Sequence, residues 1–336
     1  MPTTILTPPT PVPIPRAEPS TDGAAPAMQR RRVAVELRDV TKTFGRQVAV
    51  DRLSLRVPER SICGFIGPNG SGKTTTLRLI MRIYHPDGDC GSIRVLGAEG
   101  MGPACDQVGY LPEERGLYKR MKVVDLLRFY AELKGCTHVD RDVREWLERM
   151  GLTDAASKRV EALSKGMSQK VQFIATVIGR PALIILDEPF SGLDPVNAEI
   201  IRETILDLRR DGATIIFSTH DMSVAEVLCD FIVMIFRGKK VLDGTMEAIQ
   251  REYGADTLRV RMHDPLIRLD DLPDVTRVTD LGGLKELRFA ANGDPQRVLR
   301  ALMARGDVQH FEITRPRLHD IFVRIARPAK TEGAHA

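Results

Sequence analysis

The chain has 336 residues, 43% hydrophobic and 28% charged, with a formal net charge of +4. That length holds one large domain and a smaller one, and so mild a positive balance leaves no electrostatic footprint for nucleic acid, which is not expected as a partner. Cys63, Cys90, Cys105, Cys136 and Cys229 form no C-x-x-C pair, so reduced thiols are expected rather than disulfides or a zinc site.

Eight prolines and no aromatic residue precede Arg30. Residues 1–32 therefore read as a disordered, proline-rich extension that buries too little surface to fold. Arg30-Arg31-Arg32 is followed by a mixed polar and apolar run, not by the apolar core of a secretory signal. Strand patterns follow over 33–37, 49–57, 61–66 and 92–96. From 123 to about 170 the apolar period becomes helical, carried by Leu126, Leu127, Phe129, Tyr130, Leu133, Val143, Trp146, Leu147 and Met150. Strand signals return over 182–186, 214–217 and 231–235, with helices expected over 197–210 and 222–228. The character changes again after 251: strands are expected over 257–261, 287–289 and 310–313, and helices over 295–304 and 318–326. The longest apolar run, 171–186, is broken by Arg180-Pro181 and falls short of the ~18 to 20 residues of a membrane span. Work at a membrane would need a partner.

The chemistry concentrates first in Gly67-Pro68-Asn69-Gly70-Ser71-Gly72-Lys73-Thr74, which matches G-x-x-x-x-G-K-[ST] between a strand pattern and a helix opened by Thr75. Glycines allow the backbone to curl into a nest of N–H donors, and the helix N-terminus adds positive dipole where phosphates sit. Lys73 supplies a point charge to the β- and γ-phosphates, and Thr74 offers its hydroxyl to Mg²⁺. A nucleoside triphosphate is the expected ligand. Further on, the apolar run 183–186 ends in Asp187-Glu188. Asp187 is suited to hold the Mg²⁺ bridging the phosphates, and Glu188 to orient and deprotonate the attacking water.

With these motifs and their order, the stretch from about 33 to 245 resembles the ATP-binding subunit of an ABC transporter. Ser164-Lys165-Gly166-Met167 after Leu163 is similar to the LSGGQ signature, Ser191-Gly192-Leu193-Asp194 to the D-loop, and Phe217-Ser218-Thr219-His220 to the switch-histidine segment. Phe44 occupies the place of the family's adenine-stacking aromatic. The resemblance implies an α/β fold: a P-loop ABC-type ATPase core over 33–250 with a helical insertion at about 113–170, a small C-terminal α/β appendage over 251–328, and a flexible tail at 329–336. It also implies ATP and Mg²⁺ as ligands and two subunits paired head to tail. Ser164, Lys165 and Gly166 of one subunit would then face the γ-phosphate held by the other. His220 would contact that phosphate from its own side, and Asp194 would connect the two sites. A separately encoded permease would anchor the pair at the cytoplasmic face of the membrane.

Two departures from the family pattern stand out. Glu113 replaces the usual Q-loop glutamine; its carboxylate can still bind Mg²⁺ or hold water, but it adds negative charge near the phosphates. Lys165 and Met167 replace glycine and glutamine in the signature. Together with Pro112-Glu113-Glu114-Arg115-Gly116-Leu117-Tyr118 and the segment 315–322, these changes resemble the branch that includes sodium-extrusion and antibiotic-export ATPases. The competing readings are a soluble ABC-type ATPase without a permease, and a nucleotide sensor with weak hydrolysis.

Overall fold

A computed structural model describes residues 32–88, 91–99, 105–114, 116–253, 257–264, 266–289 and 293–326. The expected N-terminal extension, apart from Arg32, and the expected tail at 329–336 lie outside them. In chain order the elements are β1 (Val33–Phe44), β2 (Gln47–Pro58), β3 (Ile62–Ile66), α1 (Lys73–Ile80), β4 (Ser92–Val95), β5 (Ala98–Glu99) and β6 (Val108–Leu111). The helical region holds α2 (Val123–Leu133), α3 (Val139–Arg149) and α4 (Lys165–Val177). Next come β7 (Leu183–Asp187), α5 (Pro195–Arg210), β8 (Thr214–Thr219), α6 (Met222–Leu228), β9 (Phe231–Phe236), β10 (Lys239–Gly244) and α7 (Met246–Glu252). The C-terminal part comprises β11 (Thr257–Met262), β12 (Val275–Asp280), β13 (Lys285–Phe289), α8 (Pro295–Met303), β14 (Val308–Thr314) and α9 (Leu318–Ala326).

The strands form three sheets, ordered β2-β1-β4-β5, β10-β9-β3-β8-β7-β6 and β12-β13-β11-β14. In the second, β6, β7, β8, β3 and β9 run parallel and β10 closes the edge antiparallel. Every residue of β3, β7 and β8 is buried, as expected for parallel strands covered on both faces. Alternation then divides their side chains between two cores. Ile184, Leu186, Ile215 and Phe217 meet Leu126, Leu147, Phe173 and Ile201 of the helices on one face. Leu183, Ile185 and Ile216 meet Leu77 and Leu79 of α1 and Val35, Leu37 and Leu53 of the antiparallel sheet on the other.

Several expectations change at their edges. The first strand runs on to Phe44, through polar residues that periodicity does not flag, because the two-residue connection at Gly45 pairs Phe44 with Gln47 and continues the ladder. Between residues 150 and 164 the expected helical region contains only short 3₁₀ turns. Helix α4 then extends beyond 170 to Val177, almost wholly buried against the sheet. Strands β6, β10 and β12 and helix α7 were not expected. The first is four residues long, and β10 and β12 are charged edge strands whose partners, not their pattern, stabilise them.

Within the expected appendage the two helices go different ways. Helix α8 lays Val298 and Leu302 on Leu258, Val260 and Leu287 of its own sheet. Helix α9 instead buries Leu318 and Ile321 beside Ile66, Ala225, Ile232 and Met234, beneath the end of β3.

Phe217 is fully buried and meets Phe190 edge-on at 6.0 Å between ring centroids. Phe217→Ala should lower stability by about 3–5 kcal/mol in urea unfolding. A loss below about 1 kcal/mol would contradict this packing, because a cavity that size cannot close without cost.

Candidate functional site

The site forms at the carboxyl ends of three adjacent parallel strands. Register sets Ile66 of β3 beside Thr219 of β8, and Asp187 of β7 beside Ser218 of β8. The loops leaving β3, β7 and β8 therefore open onto one edge, where ligands of open α/β sheets bind.

After β3 the chain turns through Gly67 at φ 151° and reaches α1 through Gly72 at φ 110°. A Cβ on Gly67 would lie 2.2 Å from the Ile235 carbonyl oxygen, and one on Gly72 would lie 2.4 Å from that of Ala49. No side chain fits at either place. Lys73 opens α1 and folds back across the loop, its Nζ donating to the carbonyls of Gly67 at 2.8 Å and Pro68 at 3.1 Å. Its ammonium is buried and 3.9 Å from Glu188 Oε1. Burial pushes the Lys73 pKa down, while the Glu188, Asp187 and Glu113 carboxylates oppose that shift.

Thr74 Oγ1 donates to Asp187 Oδ1 at 3.1 Å, and Ser218 Oγ donates to the same oxygen at 2.5 Å. The other carboxylate oxygen, Asp187 Oδ2, is buried and has no hydrogen-bond partner among the described residues, as does Ser71 Oγ. An orphaned carboxylate oxygen beside a threonine hydroxyl suits a hard cation. No group of three or more His, Cys, Asp or Glu side chains that could hold a metal occurs among the described residues. That donor set fits Mg²⁺, which is usually held by one or two carboxylates together with substrate phosphates and water.

Glu188 has φ 50°, a left-handed conformation that costs a non-glycine residue roughly 1–3 kcal/mol. Its N–H donates to Ser218 Oγ at 3.0 Å, and its Oε1 lies 3.0 Å from Nδ1 of His220. The carboxyl group is thus held between Lys73 and His220, and the His220 side chain remains 57% exposed to the cleft.

Gly72, Lys73, Thr74, Glu188 and His220 line an open cleft of about 570 Å³, shared with Asn69, Gly70, Thr75 and Glu113, while Asp187 and Ser218 are buried behind it. Phe44 stands on its rim, 44% exposed, with its ring 5.2 Å edge-on from Tyr84 and Lys42 Nζ 5.6 Å from its centre. An exposed aromatic at the mouth of a polar cleft is placed for stacking, not for core packing.

The signature residues are elsewhere in the chain. Ser164 caps α4 by accepting from the Met167 N–H at 3.2 Å. Gly166 faces Asn197, and the Lys165 ammonium lies against Gly192, where an added Cβ would be 2.3 Å away. Asp194 caps α5 and accepts from the Asn197 N–H at 3.0 Å, which holds its carboxyl below the usual range. None of Ser164, Lys165, Gly166 and Asp194 lines the cleft. The structure therefore gathers the P-loop, Asp187, Glu188, His220, Glu113 and Phe44, and leaves the signature and Asp194 apart.

Four residues of the site have no role assigned from sequence, Ser218 and Ser191 being quoted only as members of their motifs. Ser218 ties Asp187 to Glu188, and Gln47, Ala49 and Ser191 line the cleft. Ser218 carried a weak signal, as a hydroxyl inside the segment that ends in His220. Gln47 and Ala49 carried none, since they arrive through the first hairpin.

Residues 50–191 match the ABC transporter family, and residues 244–326 match the C-terminal domain of DrrA1-3-like ATP-binding proteins. The ABC transporter ATP-binding protein YhaQ of Bacillus subtilis (strain 168) is 41% identical over 286 residues, covering 84% of this chain and 95% of its own. The Nod factor export ATP-binding protein I of Paraburkholderia xenovorans (strain LB400) is 33% identical over 299 residues, covering 87% and 96%. A solved ATP-binding subunit of an ABC transporter superposes with a TM-score of 0.61 at 30% identity, over 66% of this chain and 93% of its own. With a glycine loop opening α1, a buried aspartate bonded to Thr74 and a paired Glu-His, and with relatives matched over nearly their full length, the chain belongs to the ATP-binding, ATP-hydrolysing proteins of the ABC transporter family.

Proposed function

We propose that this chain drives a separately encoded membrane permease that exports ions, drugs or other small molecules. The observation that carries the reading is the convergence of Lys73, Thr74, Glu188 and His220 on one cleft, with the buried Asp187 hydrogen-bonded to Thr74. Its export direction is supported by the Nod factor export relative and by the DrrA1-3-like match of the C-terminal part. No helix of the described residues is long and apolar enough to cross a membrane. In this reading the permease crosses it, and the chain sits at the cytoplasmic face. An apolar rim supports such a partner: Tyr118 and Leu133 are exposed, and Tyr118, Phe129 and Tyr130 stack edge to edge beside a second cleft lined by Leu117, Tyr130 and Leu133.

The residues divide the reaction as follows. Backbone N–H groups of residues 69–74 and the start of α1 hold the phosphates, and Lys73 exchanges its bonds to the Gly67 and Pro68 carbonyls for phosphate oxygens. Thr74 Oγ1 and Asp187 would hold Mg²⁺, which when bound neutralises charge on the phosphates. Glu188 orients the attacking water and accepts its proton, while His220 leaves Glu188 to meet the γ-phosphate. Phe44 stacks on the base. Ser164, Lys165 and Gly166 do not reach their own cleft, so a second copy, arranged head to tail, would supply them, with Asp194 and its loop connecting the two sites. Closure on ATP and opening after hydrolysis is the output. We assign residues 33–250 to the nucleotide-binding unit and 251–328 to the accessory unit, whose last helix returns to the first.

Lys73→Ala should weaken ATP binding about ten- to hundredfold in a fluorescent-nucleotide titration, as expected for losing charged hydrogen bonds. Unchanged affinity would remove the phosphate-site assignment. Glu188→Gln should bind ATP normally, lower kcat by about 10²- to 10⁴-fold and accumulate as an ATP-bound dimer in light scattering; near-normal turnover would exclude Glu188 as the base. Glu113→Gln should preserve or raise ATPase activity by removing a negative charge from the cleft. If it abolishes Mg²⁺-ATP binding, Glu113 is itself a ligand.

A further inference from the structure

Helix α9 lies more than 240 residues beyond the P-loop in sequence, yet its apolar side packs under both halves of the phosphate site. Leu318 and Ile321 are fully buried in the cluster that includes Ile66, the residue before Gly67, and Ala225 of α6. Two further contacts are more directed.

The first reaches the P-loop. The Phe322 ring meets Phe236 edge-on, 5.6 Å between centroids, and the Arg237 guanidinium lies 5.1 Å from the centre of the Phe236 ring. Phe236 ends β9 and leads into a tight turn at Arg237 and Gly238, with φ 50° and 77°. That turn is a seat for the nest. The Gly238 N–H donates to the Ser71 carbonyl at 2.9 Å, and the Ile235 carbonyl lies directly under Gly67. One ring contact and one turn thus separate α9 from the phosphate-binding backbone.

The second reaches the histidine. Helix α6 begins two residues after His220, capped by Asp221, and its Glu226 carboxylate accepts a hydrogen bond from the N–H of Leu318, the first residue of α9. A carboxylate at a helix N-terminus is favoured by both the unpaired N–H and the dipole, so this contact joins α6 to α9 firmly.

We propose that α9 is a strap that holds the P-loop and the His220 helix in a common position, with Phe322 and Glu226 as positioning residues for ATP binding and turnover. Helix α9 follows β14 by a short connection, so the strap is continuous in the chain with the C-terminal sheet. This rests on the reading of the cleft as the ATP site.

ATPase assays and fluorescent-ATP titrations on the full chain test the strap. Phe322→Ala should raise KM for ATP about three- to tenfold while kcat stays within about twofold, in the range of measured coupling between packed elements. Phe322→Tyr, which keeps the ring, should restore KM. Glu226→Ala should show the reverse split, lowering kcat with KM near the original value. Met303→Ala, on the exposed side of α8, should change neither. A wild-type KM in Phe322→Ala, or an equal loss in both parameters that Phe322→Tyr does not rescue, overturns the proposal. If Phe322→Ala does not fold, Phe322→Leu keeps the apolar volume without the ring edge, and its ATP affinity is read instead. Lys73→Ala in the same titration separates the two ideas. Normal affinity in Phe322→Ala beside lost affinity in Lys73→Ala sinks the strap alone, and normal affinity in both sinks the site.

Discussion

The hydroxyl of Ser218 makes two hydrogen bonds on which the arrangement of the cleft depends. It donates to Asp187 and accepts from the Glu188 N–H, and it can do both only because β8 lies between β3 and β7 with Ser218 in register with Asp187. The same register brings Ile66, and so the phosphate nest, level with Thr219. A one-residue slip of β8 would invert every side chain of the strand and swing Ser218 away from Asp187. Burial of all three strands on both faces makes such a slip prohibitively costly, so the two large cores specify the catalytic geometry as much as they specify the fold.

Around that fixed edge the structure concentrates strain and unpaired polarity. Glu188 is held in a left-handed conformation, the Lys73 ammonium is desolvated among carboxylates, and the oxygens Asp187 Oδ2 and Ser71 Oγ are buried without partners among the described residues. Each feature costs stability by itself, and they share one site. A ligand carrying several negative oxygens answers part of this polarity, since Lys73 and the backbone around Gly70 and Gly72 line the cleft. Buried polar groups left without protein partners are retained where a polar ligand meets them, as in an ATP-binding cleft.

The cleft is also incomplete sterically. Its open side faces solvent, while the signature turn at Ser164 packs on the chain just past Ser191, with Lys165 against Gly192 and Gly166 against Asn197. These contacts couple the two segments within one chain. Helix α9 adds a comparable link behind the cleft, between the turn at Gly238 and helix α6. Both linkages join segments far apart in sequence.

Local sequence made the phosphate nest, the Asp187-Glu188 strand end and the α/β alternation legible, because each is written in contiguous residues: glycines where Cβ has no room, an apolar run ending in carboxylates, a change of hydrophobic period. Ser164 and Asp194 cap α4 and α5 through residues next to them in the chain. What the residues could not convey is whatever depends on partners distant along the chain. The charged edge strands β10 and β12 form because neighbours offer them hydrogen bonds. Gln47 and Ala49 reach the cleft only because a hairpin bends over it. Ser218 acquires its bridging role from strand order, and α9 leaves its own sheet because its apolar face fits beneath Ile66. Side-chain chemistry was thus decided by the sequence, and the neighbours with which that chemistry acts were decided by long-range packing, since register and burial are properties of the folded whole.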